Sequence, residues 1–174
     1  MKQLSIAVLL LLSGCTDPAE DRKADQNYFF DLKGYFTREA GRLSEVRKPA
    51  EKEVTRNGSV ERRVLMIDWD TELALFRESD INKAAWKDSY RTNRSGNTTT
   101  YTATDDDLRT RQIVLEKAPG GQFRHIRIRN RASNFLYTST ETLDYYPDSA
   151  YRIDRTQSVK VIGMNHYTIK TKLE

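Results

Sequence analysis

The segment YRIDRTQSVKVIGMNHYTIKTKL, residues 151–173, alternates apolar and polar side chains on both sides of a break at Gly163-Met164-Asn165. The apolar residues of one parity are Tyr151, Ile153, Val159 and Val161 before the break, and Tyr167, Ile169 and Leu173 after it. Successive side chains of a strand point to opposite faces of a sheet, so this period predicts two strands, each with one buried and one solvated face. The connection is too short for a parallel crossover, so the two strands are expected to be antiparallel.

The same pattern extends upstream. Seven strands are expected from Ala84 onward: Ala84–Thr92, Thr98–Thr104, Arg109–Lys117, Gln122–Arg131, Phe135–Leu143, Tyr151–Val161 and His166–Leu173. Asn57-Gly58 lies between Glu51–Arg56 and Ser59–Met66, and this dipeptide is the strongest short-range signal for a hairpin. About nine strands are more than an untwisted open sheet holds comfortably, so the meander is expected to curl into a half-barrel.

Helical spacing is confined to the first half of the chain. Residues 28–46 place Tyr28, Leu32, Tyr35, Phe36, Ala40, Leu43 and Val46 at steps of three and four, and Pro49 ends the pattern. A further short helix is expected within Asp68–Ser79. The predicted fold class is therefore α+β, with an amphipathic helix packed on a large curled antiparallel meander. This layout resembles the lipoprotein-carrier fold of the Gram-negative envelope, and the resemblance implies a cavity for acyl chains.

The first fifteen residues predict the cellular location of the protein. Lys2 is followed by the apolar run Leu4–Leu12, which is too short to span a bilayer but has the length of a signal-peptide core. Leu12-Ser13-Gly14-Cys15 resembles the lipobox of bacterial lipoproteins. The resemblance implies that residues 1–14 are removed and that Cys15 is lipidated. Residues 15–27 then form a polar tether, and residues 28–174 form a single domain.

The residue after the cysteine and two later segments refine the predicted location. Thr16 stands where an aspartate marks retention at the enterobacterial inner membrane, so the resemblance implies an outer-membrane lipoprotein of the cell envelope, facing either the periplasm or the cell surface. Asp80–Lys83 and Asn134–Tyr137 resemble segments of uncharacterised Bacteroidota envelope lipoproteins, a resemblance that carries no activity.

Several kinds of chemistry find no support in the sequence. Cys15 is the only cysteine, so no internal disulfide and no thiol nucleophile are expected in the domain. His125 and His166 have no metal-ligand spacing, and Asp105-Asp106-Asp107 matches a turn better than a calcium loop. The net charge of +4 is too small and too mixed for a nucleic-acid binder. We therefore expect no catalytic residues, no metal, no cofactor and no nucleic acid.

The most distinctive polar stretch is basic and lies on a predicted strand. One face of that strand carries His125, Arg127, Arg129 and Arg131, whereas Ile126 and Ile128 share the other. This ladder is a candidate site for an anionic glycan, a lipid phosphate or an acidic protein partner. The alternative is an ordinary solvated face whose arginines pair with Glu116 and Glu141 on neighbouring strands.

The residues thus favour a lipid-anchored envelope lipoprotein that acts as a non-catalytic binding or structural module. The alternative is a lipid or lipoprotein carrier, and an enzyme acting on envelope polymers comes third. An apolar cavity on the concave side of the sheet would distinguish the carrier from the binding module.

Overall fold

The computed structural model describes residues 27–173, which form an antiparallel sheet of nine strands accompanied by three helices. The helices are α1 (Leu32–Val46), α2 (Trp69–Glu72) and α3 (Ala74–Arg77). The strands are β1 (Ala50–Arg56), β2 (Ser59–Leu65), β3 (Tyr90–Ser95), β4 (Thr98–Ala103), β5 (Thr110–Lys117), β6 (Phe123–Ser133), β7 (Tyr137–Tyr146), β8 (Ala150–Val159) and β9 (Gly163–Lys172). Among these residues no helix is long and apolar enough to cross a membrane.

The strands follow the order β2-β1-β9-β8-β7-β6-β5-β4-β3. Strands β3 to β9 form a meander of sequence neighbours, and the β1–β2 hairpin joins it through β9. The backbone N–H of Asn57 donates to the carbonyl of His166 over 2.9 Å, and Val54 lies opposite Ile169 in register. Strands β2 and β3 are the two ends of the order, so the sheet is not closed.

The hairpin between β1 and β2 has the turn that its sequence predicts. Asn57 and Gly58 both adopt positive φ, at 48° and 89°. A two-residue turn with positive φ at both positions twists in the same sense as the strands it joins, and asparagine and glycine tolerate that conformation better than other residues.

Helix α1 begins at Leu32, four residues after the start that its apolar spacing predicts. The side chain of Asp31 accepts a hydrogen bond from the backbone N–H of Gly34 over 2.7 Å and caps the helix. The residues before Asp31 lie outside the helix and pack on the sheet instead. The ring of Phe29, for example, packs edge-on against Tyr90 at 5.6 Å. The apolar residues before Asp31 therefore contribute to the core without being helical.

The core lies between the helices and one face of the sheet. Helix α1 buries Leu32, Phe36, Ala40 and Leu43. The ring of Phe36 lies 4.7 Å from Phe76 of α3 and 5.1 Å from Tyr145 of β7, measured between centroids. This aromatic packing positions α1 against the centre of the sheet.

Two segments differ from their predicted secondary structure. The helix expected within Asp68–Ser79 forms as α2 and α3, with Leu73 between them and Asp68 capping the first. The strand expected from Ala84 begins only at Tyr90, because residues 84–86 form a 3₁₀ turn in which Trp86 N–H donates to Lys83 over 2.8 Å.

Candidate anion-binding face of the sheet

Alternate residues of β6 lie on opposite faces of the sheet. Ile126 and Ile128 are fully buried on the face that packs against the helices. The opposite face, which we call the outer face, carries His125, Arg127, Arg129 and Arg131. The strand therefore presents the four predicted residues on one surface. Each of them can bind a ligand only if its side chain is not already held by a neighbouring residue.

One row of the outer face consists of charged residues in register across six strands. In strand order from β6 to β2 the row is Arg127, Asp144, Arg152, Lys170, Glu53 and Arg62. The Nε of Arg127 donates to Asp144 over 2.7 Å, and the Nε of Arg62 donates to Glu53 over the same distance. Exposed cross-strand ion pairs add little to stability, because water screens their attraction. Most cations of this row thus already have an anionic partner.

His125 is held by a carboxylate and an aromatic ring. Its Nε2 lies 2.6 Å from Oδ1 of Asp144, its Nδ1 lies 3.7 Å from Glu116, and its ring stacks on Tyr146 at 4.5 Å and 6°. The side chain is nearly inaccessible, and Asp144 is buried beside it. Because Arg127 binds the same oxygen of Asp144, both basic residues at this end of the ladder are committed within the sheet.

Two carboxylates of the outer face, Glu116 and Asp154, are held in their ionised form. A hydrogen bond from Arg124 lowers the pKa of Glu116, although partial burial opposes the shift. Burial acts to raise the pKa of Asp154, but hydrogen bonds from Arg152 and Thr168 outweigh it, so this pKa also lies below its ordinary value. These acids are therefore charged at neutral pH and already occupied by their neighbours.

Arg129 and Arg131 differ from the other two ladder residues. Both are exposed, and within residues 27–173 neither guanidinium forms an ion pair. The cross-strand neighbours of Arg129, Gln112 and Thr142, are neutral. Arg131 lies between Thr140 and Arg109, and the guanidinium of Arg109 pairs with Glu141. Residues two apart on a strand are about 7 Å apart. The arrangement offers two free cations, surrounded by hydroxyl and amide groups, to a ligand with spaced acidic groups.

Glu141 is not a partner of the ladder. It follows the parity of the buried residues Leu143 and Tyr145, and its carboxylate lies on the face that bears the helices. There it binds Arg109 at 2.9 Å and Arg155 at 2.6 Å. The expectation that Glu141 would neutralise the basic strand is wrong, because side-chain parity places it on the opposite face.

The face that bears the helices carries an open groove beside α3. Its volume is about 300 Å³, and it is lined by Val54, Leu75, Ile153, Arg155, Gln157, Tyr167 and Ile169. Under α1 itself the space is filled, since Phe36, Phe76 and Tyr145 are all fully buried. The groove therefore lies beside the packed core rather than beneath α1.

The sequence pattern missed one exposed feature. Strand β7 begins at Tyr137 and β8 ends at Val159, so the apolar residues predicted at their ends lie in turns instead. These are Phe135 and Leu136 in one turn, and Val161 in the other, where Ile162 follows it. The turn residues Asn134 and Gly163 beside them are the signal that would have revealed this placement.

Cys15 lies outside the described residues, so its lipidation stays a prediction. Within residues 27–173 no group of three or more His, Cys, Asp or Glu side chains is arranged to hold a metal ion. No protein-family model, no curated protein and no solved structure matches the chain.

Proposed function

We propose that the chain is a lipid-anchored envelope lipoprotein whose domain is a non-catalytic binding module for anionic ligands. The observation that supports this is the contrast within one ladder: His125 and Arg127 both bind Asp144, whereas Arg129 and Arg131 are exposed and have no carboxylate opposite them. Membrane attachment through Cys15 and an outer-membrane location are part of the proposal and derive from the sequence.

The ligand class follows from the chemistry of the two arginines. A guanidinium presents donors in a planar fork that matches a carboxylate or a phosphate, and charge-assisted bonds are stronger than neutral ones. The hydroxyls of Thr140 and Thr142 lie on neighbouring positions and can donate to the same ligand. We propose an anionic envelope glycan with acidic groups at regular spacing as the ligand.

The proposal includes a half-barrel in which α1 fills the concave side of the curled sheet. Its support is the packing of Phe36 against Tyr145 of β7 and the burial of Leu32 and Leu43 on the same helix. A helix that fills the concave side leaves the outer face and the strand ends as the surfaces for a ligand.

A charge-matched pair of variants tests the proposal. Arg129→Gln with Arg131→Gln removes the two free cations, and Arg91→Gln with Arg94→Gln removes two exposed cations of β3, at the far edge of the sheet. Binding to polygalacturonate is measured by calorimetry. The first variant is expected to lose about tenfold or more in affinity, because each charge-assisted bond contributes about 1.5–3 kcal/mol. Equal losses of affinity in the two variants would mean that only the net charge of the protein matters, and would contradict the proposal.

The groove beside α3 favours a second candidate, a carrier of acyl chains. Its volume of about 300 Å³ reaches the lower end of the range for ligand pockets, and Val54, Ile153 and Ile169 supply an apolar lining. A carrier would take up a fluorescent fatty acid saturably and lose this uptake in Val54→Trp, which fills the groove. Val60→Trp, on the exposed edge strand β2, is the control. No saturable uptake is expected if the binding module is correct.

A further inference from the structure

Two neighbouring turns at one end of the sheet expose a cluster of large apolar side chains. The cluster, which we call the apolar tip, consists of Phe135, Leu136, Val161, Ile162 and Met164. Phe135 is 80% exposed and Ile162 76% exposed. The backbone N–H of Lys160 donates to the carbonyl of Leu136 over 3.0 Å and joins the two turns. Large apolar side chains that are exposed together at one end of a domain are typical of interaction sites.

The backbone of the two turns holds these side chains outward. The side chain of Asn134 accepts hydrogen bonds from the N–H groups of Leu136 at 2.8 Å and Tyr137 at 2.9 Å, and so fixes the first turn. In the second turn Val161 adopts a φ of 79°, which β-branched residues rarely do, and its side chain is fully exposed. Such strain is typical of functional positions.

The surroundings of the apolar tip are basic. Residues 131–140 and 156–166 contain no aspartate or glutamate, although they include Arg131 and Lys160. The ammonium group of Lys160 lies 4.0 Å from the centroid of the Phe135 ring. Apolar side chains beside cations, with no acid in the same segments, complement a surface that is anionic outside and apolar beneath.

We propose that the apolar tip inserts into the headgroup region of an anionic lipid bilayer. The cations would contact lipid phosphates, and the aliphatic and aromatic side chains would enter the boundary with the acyl chains. A second copy of the chain would oppose one basic tip with another, and like charges disfavour that pairing.

This inference names a membrane contact beyond the anion-binding site and does not depend on Arg129. The test uses the full-length chain with Cys15→Ser and Ile162→Cys, so that one thiol carries an environment-sensitive fluorophore at the tip. The control is Cys15→Ser with Asn97→Cys, in the turn between β3 and β4 at the opposite end of the sheet. Both proteins are bound to vesicles of phosphatidylethanolamine and phosphatidylglycerol whose acyl chains are brominated, because bromine quenches only a nearby fluorophore.

Quenching is expected to be several-fold stronger at position 162 than at position 97, and to weaken when phosphatidylcholine replaces the anionic lipid. Adding Arg129→Gln, which removes a cation of the proposed glycan site and none of the tip, should leave the difference between the two positions in place, which separates this inference from the proposed glycan site. Leu136→Cys provides a second tip position, and thermal melting confirms that each variant is folded. Equal quenching at positions 162 and 97 in vesicle-bound protein would overturn the proposal.

Discussion

The hydroxyl of Tyr145 on β7 donates a hydrogen bond to the carboxylate of Glu39 on α1 over 2.6 Å, which joins residues 106 positions apart in the sequence. Arg42, one turn further along the helix, donates to the same carboxylate over 2.9 Å and also pairs with Asp148 at 2.8 Å. Burial disfavours the charged form of Glu39, but the hydrogen bonds from Arg42 and Tyr145 outweigh it and hold its pKa below the ordinary value. The helix is thus attached to the sheet by a charged contact as well as by its apolar face.

Tyr145→Phe should remove this contact and keep the ring packing. We expect a loss of about 1.5–3 kcal/mol of stability, the contribution of a hydrogen bond to a charged group, and a fall of the Tm by roughly 3–12 °C. Tyr146→Phe is the control, because its more exposed ring stacks on His125. Thermal melting followed by circular dichroism measures both. A Tm of Tyr145→Phe equal to that of Tyr146→Phe would contradict the prediction.

Glu39→Gln should make stability less dependent on pH. A carboxylate whose pKa is depressed by folding stabilises the protein above its unfolded pKa of about 4.3, and this stabilisation is lost as the pH falls through the lower folded value. We expect Glu39→Gln to be less stable than the parent chain at pH 7 and the difference to shrink below about pH 4. Urea unfolding at both pH values measures it. A constant difference across that range would mean that ionisation of Glu39 is not the cause, and Glu45→Gln on the exposed side of α1 should change little at either pH.

Phe36→Ala should strongly destabilise the domain. The side chain is fully buried among three aromatic rings, and truncation of a buried phenylalanine costs about 3–5 kcal/mol. Val46→Ala on the same helix, where the side chain is 48% exposed, is expected to cost about 0.5 kcal/mol or less. If Phe36→Ala changed fatty-acid uptake but left the Tm unaltered, α1 would cover a cavity rather than fill the core, and the carrier would become the better proposal.

Val161→Asn should stabilise the domain. A left-handed backbone conformation costs a β-branched residue about 1–2 kcal/mol, whereas asparagine tolerates it. The valine side chain is fully exposed, so little packing is lost, and we expect the Tm to rise by about 2–4 °C. Ile162→Asn in the same turn is the control and should give no such gain. A lower Tm for Val161→Asn would show that the valine side chain stabilises the folded domain, and would contradict the prediction.

Cys15→Ser should abolish acylation. Metabolic labelling with a radioactive fatty acid measures the lipid, and fractionation at high salt measures release from membranes once residues 1–14 are also removed. High salt is needed because contact through the apolar tip would be partly electrostatic. Protein that stays in the pellet at high salt without lipid would contradict the anchor predicted from the lipobox.

Local pattern was enough to predict the period of the strands and the strongest turn. The alternation of Ile126 and Ile128 with Arg127 and Arg129 assigns each side chain to a face, because that alternation follows from strand geometry alone. Asn57-Gly58 forms the expected turn for the same reason, since positive φ is a property of the residue itself. Helix α1 was placed by spacing, but its start depends on the capping side chain of Asp31, which spacing does not detect.

The partners of the charged residues were decided only by the tertiary structure. Pairing of β1 with β9 places Glu53 beside Lys170, 117 positions later in the chain. Pairing of β6 with β7 places Asp144 where it contacts both His125 and Arg127. The same registers leave Arg129 beside Thr142, without a carboxylate. Side-chain parity is set within a single strand, whereas register and strand order depend on the whole sheet, because they bury apolar residues from several strands together. The sequence therefore determined which residues are basic and which face of the strand they occupy, and folding determined which of them stayed free.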